Sequence, residues 1–206
     1  MTLEILPTTL VETAPEFVEF ASIARLTKPC VVTEKIDGTN AQVHITDNGR
    51  VFAGSRSRWI SPAADNHGWA AWVQAHREEL LQLGPGSHFG EWWGSGIQRG
   101  YGLTKGDKRF SLFNVGRWVV KPYPNGQAVT LTDKQQFAPS CCSVVPILYV
   151  GAFDTAQIET TLELLDGMGS RAAPGFMKPE GIVVYHEAAR VLFKKTLEGD
   201  GHKGIR

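Results

Sequence analysis

Apolar and polar positions repeat along the chain with two different periods. In residues 15–26, Phe17, Phe20, Ala21 and Ala24 recur at helical spacing behind a proline suited to a first helical turn, which predicts a helix. Residues 31–36 read as a strand, Asp37-Gly38 as a turn and residues 41–45 as a returning strand. Asp47-Asn48-Gly49 then turns into a third strand at 50–53. Trp69, Trp72, Val73, His76, Leu80 and Leu83 predict one helix over 69–83, ended by Gly84-Pro85-Gly86. Strands are expected at 87–93 and 109–115, with a glycine-rich loop at 94–106 between them. A strand at 143–150 leads to a helix at 156–165, whose start has Asp154 and Gln157 placed as a capping box. Residues 181–185 and 190–195 form a hairpin, and the tail after Lys195 is expected to fray. Strands outnumber helices and many are neighbours in sequence. The expected fold class is α+β, built on antiparallel sheets and not on a doubly wound parallel one.

Composition narrows this picture only slightly. A chain of 206 residues has room for one domain with a real core, so a single domain over 1–206 is expected. With 21 basic and 21 acidic residues the net charge is zero, so a nucleic-acid partner would need a local basic surface. Cys30, Cys141 and Cys142 form neither a disulfide framework nor a CxxC zinc pair, and read as reduced thiols of an intracellular protein. The first residues are acidic with no basic leader, and no apolar run approaches the roughly 20 residues of a membrane span. The expectation is a soluble, cytoplasmic protein, in a cell or an infected host, with no membrane partner.

Candidate chemistry begins at Glu34-Lys35-Ile36-Asp37-Gly38-Thr39-Asn40. Strand alternation puts Lys35 and Asp37 on one face and Glu34 on the other. A turn after Lys35 sets it near a strand end, where a ligand can approach. A lysine amine attacks only once its proton is removed, which burial, nearby cations or a metal make easier. A KxDG string alone describes an exposed strand lysine beside a turn equally well.

Five further segments change that balance. They are the SRS of 55–57, FGEWWG of 89–94, FSLFNV of 110–115, EGIVV of 180–184 and FKK of 193–195. In this order, together with EKIDGTN, they resemble the covalent nucleotidyltransferases: ATP-dependent DNA and RNA ligases and mRNA capping enzymes. The Glu before the lysine, the Thr-Asn after the glycine and GEWWGSGIQ are most similar to the RNA ligase 2-like branch. Asp37 instead matches the form in DNA ligases and capping enzymes. The resemblance implies an ATP-grasp-like adenylylation domain in which two antiparallel sheets flank a nucleotide pocket. It also implies ATP with Mg²⁺ or Mn²⁺ as cofactors and RNA ends, 5′-phosphate and 3′-OH, as partners.

The resemblance assigns roles residue by residue. Lys35 would be the nucleophile that forms a lysyl-AMP. Glu91 would bind the ribose and Phe113 would stack on adenine, with Phe110 the competing aromatic. Arg56 would contact the ribose or a strand phosphate, with Arg58 the near alternative. Glu180 would bind metal, directly or through water, or orient the lysines. Lys194 and Lys195 are the candidates for the α-phosphate. Successive strand residues face opposite ways, so one of them is expected there, and Lys194 is favoured. The family's usual second lysine position holds Thr196. Glu34, Asp37, Gly38 and Asn40 complete the nucleotide-binding set. Trp59, Trp92 or Trp93 could stack on a base, and the histidines show no ligand spacing.

Relatives of this pattern carry a further C-terminal OB-fold or helical domain, for which no room follows the last motif. A bare adenylylation domain is therefore expected, with a protein partner in place of the missing part. The alternatives are an ATP-dependent DNA nick ligase and a nucleotide- or RNA-binding protein that has lost activity.

Overall fold

The computed structural model describes residues 16–120 and 131–199. Twelve strands are distinguished in these residues. In chain order β1 is Pro29–Lys35, β2 Thr39–Ile45, β3 Val51–Gly54, β4 Trp59–Ile60, β5 Gly86–Gly94 and β6 Lys108–Leu112. They are followed by β7 Trp118–Val119, β8 Gln136–Phe137, β9 Cys142–Val144, β10 Ile147–Ala152, β11 Gly181–His186 and β12 Val191–Thr196. The helices are α1 Trp69–Ala75, α2 Arg77–Leu80 and α3 Thr155–Met168.

The strands form a four-stranded sheet, β10-β1-β11-β12, and a six-stranded sheet, β4-β3-β2-β5-β6-β9, with β7 and β8 pairing apart. The smaller sheet is antiparallel throughout. The larger is antiparallel except for β6 with β9, and β7 with β8 is also parallel. The α+β expectation therefore holds, with the sheets mixed at those two pairs.

Alternation decides what each sheet buries. Ala41, Val43 and Ile45 of β2 and Phe110 and Leu112 of β6 turn one face of the large sheet toward α1 and α2, where Trp69, Trp92 and Leu80 fill the main core. Cys30 and Val32 of β1 and Ile182 and Val184 of β11 turn one face of the small sheet onto Ile158, Leu162 and Leu165 of α3. A third cluster joins Ile36 and Val145 of the two crossings to Trp93 of β5 and to Tyr101 and Ala173 of the loops. Asp154 caps α3 by accepting from the amides of Ala156 and Gln157. Asp65, ahead of α1, accepts from the amides of Ala70 and Ala71.

Several expected elements are corrected. β1 and β2 are not a hairpin: residues 36–38 carry the chain from the small sheet to the large one. The single strand expected at 143–150 is two, because Val145 and Pro146 make the return crossing and β9 and β10 lie in different sheets. The helix of 69–83 breaks at His76, where φ is −105° and ψ 19°; its ring bonds the Trp72 carbonyl and stacks on the Trp72 indole. No helix forms over 16–26; Phe17 and Phe20 are 88% and 85% exposed there. A short helix with no surface to pack on lacks the contacts that offset its nucleation. Past Lys195 the chain does not fray at once: Thr196 belongs to β12, and Leu197 packs on the α3 core. The end of the expected tail, 200–206, and Pro15 lie outside the described residues. No helix among the described residues is long and apolar enough to cross a membrane.

Candidate active site

The two crossings between sheets lie against each other, with the Glu34 amide donating to the Pro146 carbonyl at 2.9 Å. The candidate residues gather there. Lys35 ends β1, and its amine is ion-paired with the carboxylate of Glu180, which directly precedes β11. The pairing follows from register, since Lys35 lies opposite Gly181. Gly181 has φ +154°, and a Cβ on it would sit 2.2 Å from the Lys195 carbonyl oxygen. Only glycine therefore lets β12 close onto β11 beside Glu180.

From the large sheet, β5 contributes Glu91, which pairs with Asn40 of β2 and Ser111 of β6. Its carboxylate accepts from the Gly38 amide at 3.0 Å and from Asn40 Nδ2 at 3.2 Å. Gly38 is required by space: a Cβ there would lie 2.5 Å from the Trp92 carbonyl oxygen. Asp37 accepts from Arg99 Nε at 3.0 Å, and its own amide donates to the Tyr101 hydroxyl at 2.9 Å. Lys35, Asp37, Gly38, Asn40, Glu91 and Glu180 thus form one cluster: four lie within residues 35–40 and the two glutamates are bonded to them.

Burial pushes the Glu91 carboxyl up to about 7. The Gly38 amide and Lys35 pull it back down, while the charges of Glu180 and Asp37 push it further up. The ordinary value is 4.5, so Glu91 contributes no penalty below it; the penalty builds as pH rises from there, where the unfolded chain loses the proton that the folded chain keeps, and is complete once pH passes about 7. The size of that cost is about 3 kcal/mol. The expected result is that the wild-type protein loses stability against Glu91→Gln between pH 5 and pH 8. Denaturant midpoints measured across that range check it, and parallel profiles would refute it.

Three other predicted positions are placed by register. Lys194 lies opposite Val183, which lies opposite Thr33, so Lys194 shares the Lys35 face of the small sheet. Lys195 points the other way and is ion-paired with Glu159 of α3. The phosphate candidate on the Lys35 face is therefore Lys194, and Lys195 is corrected to a strand–helix tie. Phe113 follows β6 and its amide donates to the Phe89 carbonyl at 3.0 Å. It lies two residues beyond Ser111, on the Glu91 face, and is 41% exposed. Phe110 is fully buried against Trp69 in the core, which removes it as a stacking residue.

Two further expectations change. Glu34 is 1% exposed and lies on the α3 side of the sheet. Its carboxylate accepts from Ser170 Oγ at 2.6 Å and from the amides of Arg171 and Ala172 at 2.8 and 2.9 Å. Its side chain is thus corrected from a nucleotide contact to the anchor of the loop after α3. Arg56 is exposed in the loop between β3 and β4, outside the cluster. Trp92 and Trp93 are buried to 2% and 1%, leaving Trp59 as the tryptophan open to a base.

Arg99 and Tyr101 were not legible as site residues, since the segment reads as a flexible glycine loop. Arg99 joins Asp37 to the Lys178 carbonyl and to Glu198 beyond β12. Tyr101, with φ +50°, is wedged between Trp93 and Phe176, and burial pushes its phenol up. The tyrosine among glycines was the one available signal.

No group of three or more His, Cys, Asp or Glu among the described residues forms a metal cage. Glu180 and Asp37 nevertheless act on Glu91 across the site as like charges. A small divalent cation that takes one or two carboxylates plus phosphate oxygens suits such a set.

A lysine and two glutamates are held where one sheet crosses into another, and the α+β arrangement around them matches a nucleotidyltransferase fold. Residues 28–196 match the family model for RNA ligase, and the chain belongs to that family. Among solved structures it is similar to Naegleria gruberi RNA ligase. A lysine-to-methionine mutant with AMP and Mn matches with a TM-score of 0.55 and 21% identity, over 83% of this chain and 50% of that one. A lysine-to-alanine mutant with ATP and Mn matches with a TM-score of 0.55 and 21% identity, over 82% and 49%. An apo mutant gives 0.54 and 21%, over 89% and 57%. The chain therefore spans about half the length of these relatives. No curated protein matches it.

Proposed function

We propose that this protein is an ATP-dependent RNA ligase working through a covalent lysyl-AMP at Lys35. The observation that carries the reading is the pairing of Lys35 with Glu180 beside the buried Glu91, in a chain of the RNA ligase family. The relatives' bound ATP, AMP and Mn support the nucleotide and the metal.

In the first step the Lys35 amine gives up its proton, for which Glu180 is the adjacent acceptor. Its lone pair attacks the α-phosphorus, an N–P bond forms, and pyrophosphate leaves with the electrons of the broken P–O bond. Glu91 accepts hydrogen bonds from the ribose hydroxyls, held for that task by Gly38 and Asn40. Phe113 offers its exposed ring to adenine. Lys194 offers positive charge to the α-phosphate from the same sheet face. Glu180 would hold Mg²⁺ or Mn²⁺, directly or through water, and the ion would supply charge neutralisation to the phosphates. The AMP then passes to a 5′-phosphate, and a 3′-OH attacks that phosphate, sealing the strand and releasing AMP.

The choice of polymer is tested with adenylylated nicked duplexes carrying RNA or DNA on the 3′-OH side. Faster sealing of the RNA form is expected. Equal or faster sealing of the DNA form would assign the chain to DNA nicks, the reading that Asp37 favours.

A further inference from the structure

The face of the large sheet turned away from α1 and α2 extends beyond the cluster, and its outer part is unusual in composition. Trp59 of β4 lies opposite Gly54 of β3, Gly54 opposite Gln42 of β2, and Gln42 opposite Phe89 of β5. The Phe113 amide bonds to the Phe89 carbonyl and extends this row to the adenine candidate. The row therefore runs Trp59, Gly54, Gln42, Phe89, Phe113. Trp59 is 55% exposed and Phe89 56%. They are not stray apolar residues on a rim, because alternation commits Ala41, Val43 and Ala53 to the core and leaves this row outside.

The neighbouring row adds Phe52 and His44. Their rings lie 6.0 and 5.7 Å from that of Trp59, tilted at 51° and 55°, so neither stacks flat on the indole. The indole instead rests over Gly54, whose missing side chain leaves it room: a Cβ there would meet the ring at 3.0 Å. The surface is also one-sided in charge. Arg50 lies over the Phe52 ring at 5.1 Å, and Arg56 and Arg58 occupy the exposed loop between β3 and β4. Strands β2 to β5 contain no Asp or Glu besides Glu91; Asp47 and Arg50 share the turn beyond the last β2–β3 pair, Ile45 with Val51, and it is the Arg50 guanidinium that reaches back over the sheet. Exposed rings beside arginines, with Glu91 the one acid in these strands, suit unpaired bases on a phosphate backbone.

We propose that this row is a stacking platform for the single-stranded part of the polynucleotide, leading it to the nucleotide site. The inference rests on the ligase reading and names where that substrate lies. The row with Asn40 and Glu91 is one pair along the strands, about 7 Å away. A base on Phe89 therefore adjoins an adenine on Phe113. Trp59 stands three strand intervals from Phe89, about 14 Å, and takes a separate base. Arg50 and Arg58 bind phosphates between and beside them. Bases within a duplex are already stacked and cannot use the rings in this way.

The test measures binding of a short, labelled, 5′-phosphorylated oligoribonucleotide to the full chain by fluorescence anisotropy at several salt concentrations. Labelling by ATP is followed on the same samples. The W59A/F89A variant is expected to bind about a hundredfold more weakly, at unchanged salt slope, and to keep its AMP labelling, which also shows that it folds. Exchanging the rings, W59F/F89W, is expected to restore most of the affinity. R50Q/R58Q is expected to reduce the salt slope by about two. Wild-type affinity in W59A/F89A overturns the platform, as does an equal loss in W59F/F89W. If the wild-type chain takes no AMP while W59A/F89A still loses RNA binding, the ligase reading falls and the platform stands.

Discussion

Lys35→Ala is expected to reduce AMP labelling of the protein to background, a loss on the order of a million-fold as for other covalent nucleophiles. Lys35 is the amine at the crossing of the two sheets, ion-paired with Glu180 and within electrostatic range of Glu91. Lys35→Arg is expected to fail as well, because a guanidinium keeps its proton and its charge but offers no nucleophilic lone pair. The arginine variant therefore separates loss of the nucleophile from loss of the ion pair. Incubation with α-labelled ATP and Mg²⁺, followed by denaturing electrophoresis and intact mass, gives the result directly. Equal labelling of wild type and Lys35→Ala would move the covalent bond elsewhere. Absence of label in the wild type would leave a chain that only binds.

Glu34→Ala is expected to produce the largest stability loss of the substitutions considered. The carboxylate has three donors, Ser170 Oγ and the amides of Arg171 and Ala172, and almost no exposure to water. Removing it leaves two half-buried amides without their acceptor, and the buried Ser170 hydroxyl, which itself accepts from the Ala173 amide, loses its own. A cost of about 3 kcal/mol follows, or about 6–12 °C in Tm for a domain of this size. Glu34→Gln keeps an acceptor oxygen and is expected to recover most of the loss. Thermal unfolding of both variants, with AMP labelling at a temperature where each is folded, checks the assignment. Near-normal labelling alongside the lower Tm is the expected outcome. Abolished labelling in fully folded Glu34→Gln would return this residue to nucleotide contact.

The adjacency of Glu34 and Lys35 shows what could and could not be seen in the chain alone. That they point to opposite faces is a consequence of strand alternation and was legible. What each face meets was not, because Ser170 is 136 positions from Glu34 and Glu180 is 145 from Lys35. The same limit explains the misread hairpin at 36–38. Asp37-Gly38 has the composition of a turn, yet the chain there continues into a second sheet, and Gly38 is needed for its approach to the Trp92 carbonyl. The strand at 143–150 was misread for the same reason, since apolar alternation carries no mark of where a strand changes partner.

Lys194 and Lys195 show the complementary case. Alternation required that they separate, and the β11–β12 register with Glu159 on α3 decided which faces Lys35. Arg99 and Tyr101 left almost no mark beyond a tyrosine among glycines: neither belongs to a periodic element, and their importance comes from what they touch.

By itself, then, the sequence determined most of the longer strands, two of the three helical segments expected, the order of the motifs and the side of the strand each candidate occupies. All of these depend on local periodicity and residue chemistry. The tertiary structure alone decided that two crossings bring Lys35, Glu91 and Glu180 together, that Glu34 is spent on a loop, and that Trp59 and Phe89 share one open row. Those outcomes depend on pairings between distant segments, and the free energy of burying two sheet faces on separate helices selects them from many that local pattern permits.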